Sequence, residues 1–434
     1  FSVDVDCVRD SPPLAILFPK AHEHQLSLTP RKISFDCDAC GMAGDRNPYS
    51  CQQCDFMIHQ SCIDLPEIVN VNRHEHRLSR RLHLSPGSWI CGVCHKNVDW
   101  SYGAYSCLTC PNYVIHSKCA IQNDVWDKLE LKGIPEEPIE IEPFKVIDEN
   151  LICYISHEEH YLQLNEDSII SGGSIRCEAC VLPINSQPFY KCVQCHFILH
   201  QTCAYLPRKK RHFYHDKPLT LICGDMIESG CSMCDKHSDG FKYTDFQFFS
   251  IDVTCGTLSE SIIHESHPCT LYYNDEKHMK CSSCNRLEYR LFSCDDCNFA
   301  LDIKCAVLPK TTQHWNDEHL LYLCYEKNKK GEYWCDICEE KIDTVIWFYK
   351  CDSCCVTFHT KCVLGDFSRF MPGRIATYGK WRIKVMQTSP GFLPRCYVCH
   401  TQCRLSMEDG QCDGPRTHPN FFFKIFFLVT YIVY

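Results

Sequence analysis

His160, Cys177-Glu-Ala-Cys180, Tyr190-Lys-Cys192-Val-Gln-Cys195-His-Phe-Ile-Leu-His200-Gln-Thr-Cys203 and His212 form the stretch that decides the fold. Reduced to ligand types it reads H…C-x2-C…C-x2-C-x4-H-x2-C…H. That pattern places eight thiols and imidazoles within about fifty residues. A tetrahedral zinc takes four such ligands, so the stretch has enough for two ions. The rest of the chain reads as copies of it, some whole and some damaged, which makes the protein an array of small repeats.

Repeat one has His24, Cys37, Cys40, Cys51, Cys54, His59, Cys62 and His74. Repeat two has His76, Cys91, Cys94, Cys107, Cys110, His116, Cys119 and His157. Repeat three is the stretch quoted above. Repeat four has His215, Cys231, Cys234, Asp252, Cys255 and His264, with Thr244 and Gln247 about where a second cysteine pair belongs. Repeat five has His267, Cys281, Cys284, Cys294, Cys297, Asp302, Cys305 and His314. Repeat six has His319, Cys335, Cys338, Cys351, Cys354, His359 and Cys362, without a closing His.

The expected domain map follows. Residues 1–22 end a truncated repeat, and repeats one and two occupy 23–75 and 76–123. Residues 124–156 form an acidic linker. Repeats three to six occupy 157–213, 214–265, 266–315 and 316–365. Residues 366–434 carry a partial Cys/His cluster, Cys396, Cys399, His400 and Cys403, and an apolar tail. The linker reading rests on nine acidic against three basic residues between Asp124 and Asn150 and on the lack of metal ligands there, and it leaves room for a short strand at Phe144–Ile147. The tail, Phe421 to Tyr434, is shorter than the roughly twenty residues a membrane-spanning helix needs.

Apolar residues repeat with the ligands. An aromatic stands two before each third cysteine: Tyr49, Tyr105, Tyr190, Phe292, Tyr349. Another apolar residue precedes each H-x2-C or D-x2-C: Ile58, Ile115, Leu199, Leu301, Phe358. These read as core. Alternation after each opening His, as in His24-Gln-Leu26-Ser-Leu28, reads as a half-buried strand.

The chain has 434 residues with 38 Cys and 23 His. Cysteine at that level usually signals a disulfide scaffold. The C-x2-C spacing and the recurring H-x2-C favour zinc instead, because histidine has no part in a disulfide. Zinc thiolates imply a reducing compartment, cytosol or nucleus. The formal charge of −10 disfavours wholesale phosphate binding. Arg208-Lys-Lys-Arg211 is expected to be a solvated linker and not a nucleic-acid patch. Residue 1 is Phe, and Phe1 to Cys7 resembles the end of a repeat, so the chain is expected to begin inside an earlier one. Cys153, Cys223, Cys269, Cys324, Cys355 and Cys412 have no assigned partner and are expected to pack as small apolar residues.

The run H-x12-C-x2-C…C-x2-C-x4-H-x2-C, literal from His24 to Cys62, resembles the C1 domain of protein kinase C and related signalling proteins. The array as a whole is similar to the plant divergent C1, or DC1, family. The resemblance implies small zinc-stabilised β-rich modules: two small antiparallel sheets and a short helix each, repeated in tandem with little helix overall. It also implies interleaved sites. In repeat three one ion would take Cys177, Cys180, His200 and Cys203; the other would take His160, Cys192, Cys195 and a downstream ligand. C1 domains close that second site with a Cys. Here His74, His157, His212, His264 and His314 stand at about that place, and each is expected to close the repeat behind it. His22 would close the truncated repeat. Asp252 and Asp302 either ligate through oxygen or cap a turn. The expectation is about ten zinc ions per chain.

Four protein ligands leave no open position for substrate, which argues against zinc catalysis. The expected function is a non-catalytic interaction or adaptor array in intracellular signalling, with plant stress or hormone responses implied by the resemblance. Protein partners are expected. Diacylglycerol or membrane lipid is disfavoured, because the loop between pairs is short in repeats one and five and none carries the Gln-Gly of lipid-binding C1 loops. The alternatives are a thiol–disulfide oxidoreductase built on C-x2-C, and a PHD- or RING-like module. The first needs a metal-free pair, and the second needs a further C-x2-C soon after H-x2-C.

Overall fold

The structure is a computed structural model. It describes residues 12–17, 22–135, 142–166, 175–184, 187–223, 230–275, 277–314, 317–326, 331–364, 369–371, 374–378, 381–384 and 430–431. The truncated repeat around Cys7, the 396–403 cluster, Cys412 and nearly all of the apolar tail lie outside these residues. The chain divides into two compact lobes: Phe1–Ile139 with Lys210–Pro218, and Glu140–Lys209 with Leu219–Tyr434.

Repeat two shows how one module is built. Its sheet has four antiparallel strands in the order Val114–His116, Ala104–Cys107, Leu78–Arg81, Ile68–Val69. A two-stranded ribbon, Trp89–Ile90 with Asn97–Val98, carries the first cysteine pair. The four-residue helix Ser117–Ala120 starts directly after His116 and carries Cys119 of the H-x2-C. The same plan recurs along the chain, with two- to four-stranded sheets and a five-stranded one in repeat three. Among the described residues the α-helices are four or five residues long, and no helix is long and apolar enough to cross a membrane.

The recurrent aromatic and the recurrent aliphatic face one another across one strand pair. The register sets Tyr49 opposite Ile58, Tyr105 opposite Ile115, Tyr190 opposite Leu199, Phe292 opposite Leu301 and Tyr349 opposite Phe358. Repeat four adds Tyr243 opposite Ile251, which its missing cysteines hid in the sequence. All twelve side chains are buried. Such directly opposed pairs are the stabilising unit of a small sheet. One pair plus a handful of neighbours is a small core, and a module of this size needs a further constraint to fold.

Each module begins one strand earlier than the spacing of ligands suggests. Ile68–Val69 pairs with Leu78–Arg81, and Ala15–Leu17 pairs with Gln25–Leu28. The 124–156 segment also holds more structure than a linker. Val125 is fully buried, and the Glu130 carboxylate accepts from the Glu67 and Ile68 amides. Phe144–Asp148 and Leu151–Tyr154 are strands of the repeat-three sheet. The basic run is no solvated linker either: Lys209–His212 is a strand, and Arg211 lies 4.0 Å from Asp127 with its side chain 8% exposed.

Consecutive modules dock in pairs through their backbones. The Gly103 amide of repeat two donates to Asp38 O at 2.9 Å, within the first knuckle of repeat one. The Phe241 amide of repeat four donates to Ala179 O at 2.9 Å, and the Trp347 amide of repeat six donates to Ser283 O at 3.0 Å. Each donor lies two residues before the buried tyrosine of its own repeat. That tyrosine makes the second tie. Tyr105, Tyr243 and Tyr349 hydroxyls donate to Pro66 O, Pro207 O and Pro309 O at 2.5, 2.8 and 2.6 Å. Each proline follows the last cysteine of the preceding repeat by four residues. The pairs are therefore one with two, three with four, and five with six.

Candidate metal centres

The first cluster of each repeat joins the leading C-x2-C to the trailing H-x2-C. Cys37, Cys40, His59 and Cys62 bring their ligand atoms within 4.8 Å of one another, as do Cys91, Cys94, His116 and Cys119. In repeat three, His200 Nδ1 lies 3.3 Å from Cys180 Sγ and 3.9 Å from Cys203 Sγ. In repeat six, His359 Nδ1 lies 3.3 Å from Cys338 Sγ and 3.8 Å from Cys362 Sγ. The leading pair reaches the distant H-x2-C because its ribbon lies beside the strand that ends in the histidine. The Gly92 amide donates to Val114 O, and the Glu178 amide to Ile198 O. His116 and His200 donate from Nε2 to Asn97 O and Pro183 O at 3.0 and 3.2 Å. A carbonyl only accepts, so this contact fixes the tautomer and leaves Nδ1 as the ligand atom.

The second clusters differ from the expectation. His22, His24, Cys51 and Cys54 group together, as do His74, His76, Cys107 and Cys110, and His157, His160, Cys192 and Cys195. The first histidine of each doublet thus serves the repeat ahead of it. His74 is not with Cys51 and Cys54, nor is His157 with Cys107 and Cys110. His22 belongs to repeat one and not to the truncated repeat. His212 does not complete the Cys192–Cys195 set; it is buried at the end of Lys209–His212, where its Nδ1 accepts from the Tyr214 amide. The reason is the early hairpin. Both imidazoles of a doublet sit in or beside one tight turn, between Ile68–Val69 and Leu78–Arg81 in repeat two, and Leu78 pairs with Cys107. Strands of two or three residues give no periodicity to read.

The doublets share an atomic pattern. The first histidine presents Nε2: His22 lies 3.3 Å from Cys54 Sγ, and His157 lies 3.4 Å from Cys195 Sγ. The second presents Nδ1: His24 lies 3.7 Å from Cys51 Sγ, and His76 lies 3.4 Å from Cys110 Sγ. Each first ring stacks on an aromatic just beyond the fourth cysteine, at 4.4 Å for His22 on Phe56, 3.9 Å for His74 on Tyr113 and 4.5 Å for His157 on Phe197.

Repeat five changes one ligand. His267 takes the first place, with Nε2 3.6 Å from Cys297 Sγ and its ring stacked on Phe299 at 4.3 Å. Cys269 takes the second place and hydrogen-bonds to Cys294. The expectation that Cys269 is a packing residue is therefore corrected; the signal was H-x-C in the place of H-x-H. His264 stands aside, stacked on Trp347 and hydrogen-bonded to Ser266. The His314 side chain lies outside the described residues. In repeat six, His319 Nδ1 lies 3.1 Å from Cys354 Sγ, beside Cys351. Cys355 is exposed, against expectation, because it sits in the turn after the knuckle at φ +56°.

Asp302 and Asp252 each cap a turn, and each leaves its second oxygen beside a thiol of the cluster. Asp302 Oδ1 accepts from the Cys305 amide at 2.8 Å, and its Oδ2 faces Cys284 Sγ at 3.1 Å. Asp252 Oδ1 accepts from the Cys255 amide at 2.9 Å, and its Oδ2 faces Cys234 Sγ at 3.3 Å. Each caps the following helix with one oxygen and turns the other into the thiol cluster. In repeat four the second knuckle is gone: the Thr244 hydroxyl donates to Phe249 O, bracing the loop without cysteine. His215 begins the strand His215–Ile222, 3.7 Å from Asp216.

These groups suit an ion. A tetrahedron with Zn–S near 2.3 Å and Zn–N near 2.0 Å has edges of roughly 3.5–3.8 Å. The sulfur–nitrogen separations run from 3.1 to 4.0 Å. His74 Nε2 and His160 Nδ1, the atoms the pattern assigns as ligands, are buried and have no hydrogen-bond partner. Such orphans are rare unless something else binds them. Burial, then the neighbouring His76, pushes the His74 imidazole down to about 4, so it is neutral near pH 7, the form that ligates. Hydrogen bonds from Cys37 and then Cys40 hold the Cys62 thiol down to about 3, and Cys119 does the same to Cys91, also to about 3. No described cysteine is in a disulfide.

A C1 domain family model matches residues 20–63, 72–120, 155–204 and 314–363. The chain carries C1-type domains at these four places. Three of the matched segments open at or before the histidine doublet, in keeping with where the structure places it. The two C1-like repeats with aspartate in place of histidine lie between the third and fourth segments. No curated protein and no solved structure matches the chain. C1 domains bind zinc, and the Cys/His clusters described here are of that type.

Proposed function

We propose that this chain is a non-catalytic, multi-zinc interaction scaffold acting as an adaptor in intracellular signalling, with protein partners. The observation that carries this is the closed ligand set. Cys91, Cys94, His116 and Cys119 surround one point with four protein ligands, and the other complete clusters do likewise. A structural zinc site is filled in this way, whereas a catalytic one keeps a position for water. The metal then supports folding, and the surfaces between knuckles are left for recognition. Thiol-dense clusters holding zinc favour a reducing compartment, cytosol or nucleus.

The test is elemental analysis of protein purified without added metal, combined with thiol titration. About ten zinc ions per chain are expected, with thiols unreactive until a chelator is added. The same preparation should not reduce insulin disulfides, and it should not sediment with diacylglycerol-containing vesicles. Two or fewer ions together with freely reactive thiols would sink the scaffold reading in favour of a thiol enzyme.

A further inference from the structure

Arg369 lies beyond all six repeats, yet its side chain ends inside repeat four. Its Nη1 donates to Asp252 Oδ2 at 2.5 Å and lies 3.9 Å from Cys234 Sγ. Both side chains are sealed from solvent, 5% and 4% exposed. The short segment carrying the arginine is tied down on both sides. The Asp239 amide donates to Arg369 O at 3.2 Å, and the Met371 amide donates to both Asp239 carboxylate oxygens, at 3.0 and 2.9 Å. Arg374 forms an ion pair with Glu178 in repeat three.

The charge of the cluster gives a reason for so buried a guanidinium. Three thiolates and one imidazole around a divalent ion leave a monoanion, as in repeats one, two, three and six. Three thiolates and a carboxylate leave a dianion. Repeat four has the carboxylate, and Asp252 is buried to 3% exposure. A charge so removed from water needs a partner. Repeat five also has the carboxylate, but Asp302 is more exposed, at 7%, and its cluster lies nearer the surface, with Cys284 only half-buried.

We propose that Arg369 is the outer-sphere counter-ion of the metal in repeat four, restoring through Asp252 the net charge of the Cys3His clusters. The proposal rests on the reading that the Cys231, Cys234, Asp252 and Cys255 cluster holds an ion. Outer-shell partners of metal ligands are worth roughly ten- to a hundredfold in metal affinity.

The experiment uses the full chain as wild type, Cys231→Ser, Arg369→Leu, Arg369→Lys, and the double variant Asp252→His with Arg369→Leu. Each is dialysed against a graded series of chelator concentrations, and zinc per chain is measured. Cys231→Ser should carry one ion fewer than wild type, which identifies the repeat-four step. Arg369→Leu should lose that one ion at a chelator concentration about tenfold lower than wild type, with the other steps unmoved. Arg369→Lys should lie closer to wild type, and the double variant should recover the ion because its charge is balanced again. The proposal is overturned if Arg369→Leu keeps its ion to the wild-type chelator concentration, or if the double variant does not recover. It is also overturned if Cys231→Ser and wild type carry equal zinc, since the guanidinium would then stand in place of the ion. In each of those outcomes the other clusters stay loaded, whereas failure of the scaffold reading would empty the whole chain.

Discussion

At the scale of single residues, the first histidine of each doublet decides which module is held. His74 lies between repeats one and two and its ring stacks on Tyr113 of repeat two. Replacing it with alanine should release the second ion of repeat two and raise amide exchange across residues 76–123. Residues 23–63 should keep their protection. Exchange rising in repeat one instead would restore the sequence-based assignment. Asp302 allows a cleaner separation of two roles. Asparagine still offers an oxygen to the Cys305 amide but brings no charge to the thiols. Asp302→Asn should therefore leave the helix Ile303–Ala306 folded and weaken zinc retention in repeat five by roughly ten- to a hundredfold, read by chelator competition. Asp302→His should retain the ion. An asparagine variant with unchanged retention would make the aspartate a cap alone. Residue identity was the most legible layer of this protein. The leading pairs and H-x2-C announced themselves by spacing, since sulfur and imidazole at those intervals have few other uses. Cys269 was missed because H-x-C departs from the doublet pattern by one atom type.

At the scale of elements, the ties between paired modules are backbone contacts that need room. A Cβ on Gly103 would stand 2.5 Å from Ala39 O, a distance that forces the two backbones apart. Gly103→Ala should cost the first pair about 1–3 kcal/mol, measured by denaturant unfolding of the full chain followed by exchange in repeats one and two. Tyr105→Phe removes only the hydroxyl that reaches Pro66 O and should cost about 1 kcal/mol. If both variants unfold at the wild-type midpoint, the pairing carries no energy. The facing of aromatic on aliphatic across each strand pair could be read from the sequence, because both positions keep a fixed distance from a cysteine. The edge strands could not. Ile68–Val69 and Ser261–Ile262 are two residues long, and their place is set by pairing with a distant strand and not by any pattern of their own. Missing them moved every module boundary and sent the doublet histidines to the wrong neighbour.

At the scale of the whole molecule, metal and pH act in the same direction. His74 is held at about 4 against an ordinary value near 6.5, by burial first and by His76 second. Between those values the unfolded chain binds more protons than the folded one, so stability falls as the pH drops from about 6.5 toward 4. His22 and His157 are lowered for the same reasons, burial and then the neighbouring histidine. Protons also displace zinc from thiolate and imidazole. The lowered doublet histidines and the loss of zinc should therefore bring the thermal midpoint down as the pH falls from about 6.5 to 5, and a chelator at pH 7.5 should abolish the sheet signal in circular dichroism. A midpoint that rises on acidification would contradict both effects.

The early hairpin has a practical consequence for anyone cutting this chain into pieces. A fragment begun at residue 76 leaves behind an imidazole and an edge strand, and would be judged unstable for reasons belonging to the scissors. One begun near Ile63 and ended near Pro135 keeps the turn with both rings, the strand beside it and the trailing segment that buries Val125, though it forfeits the partner module. An excerpt holding both modules of the first pair opens ahead of Ala15, and it still forfeits the Lys210–Pro218 segment that belongs to the same lobe.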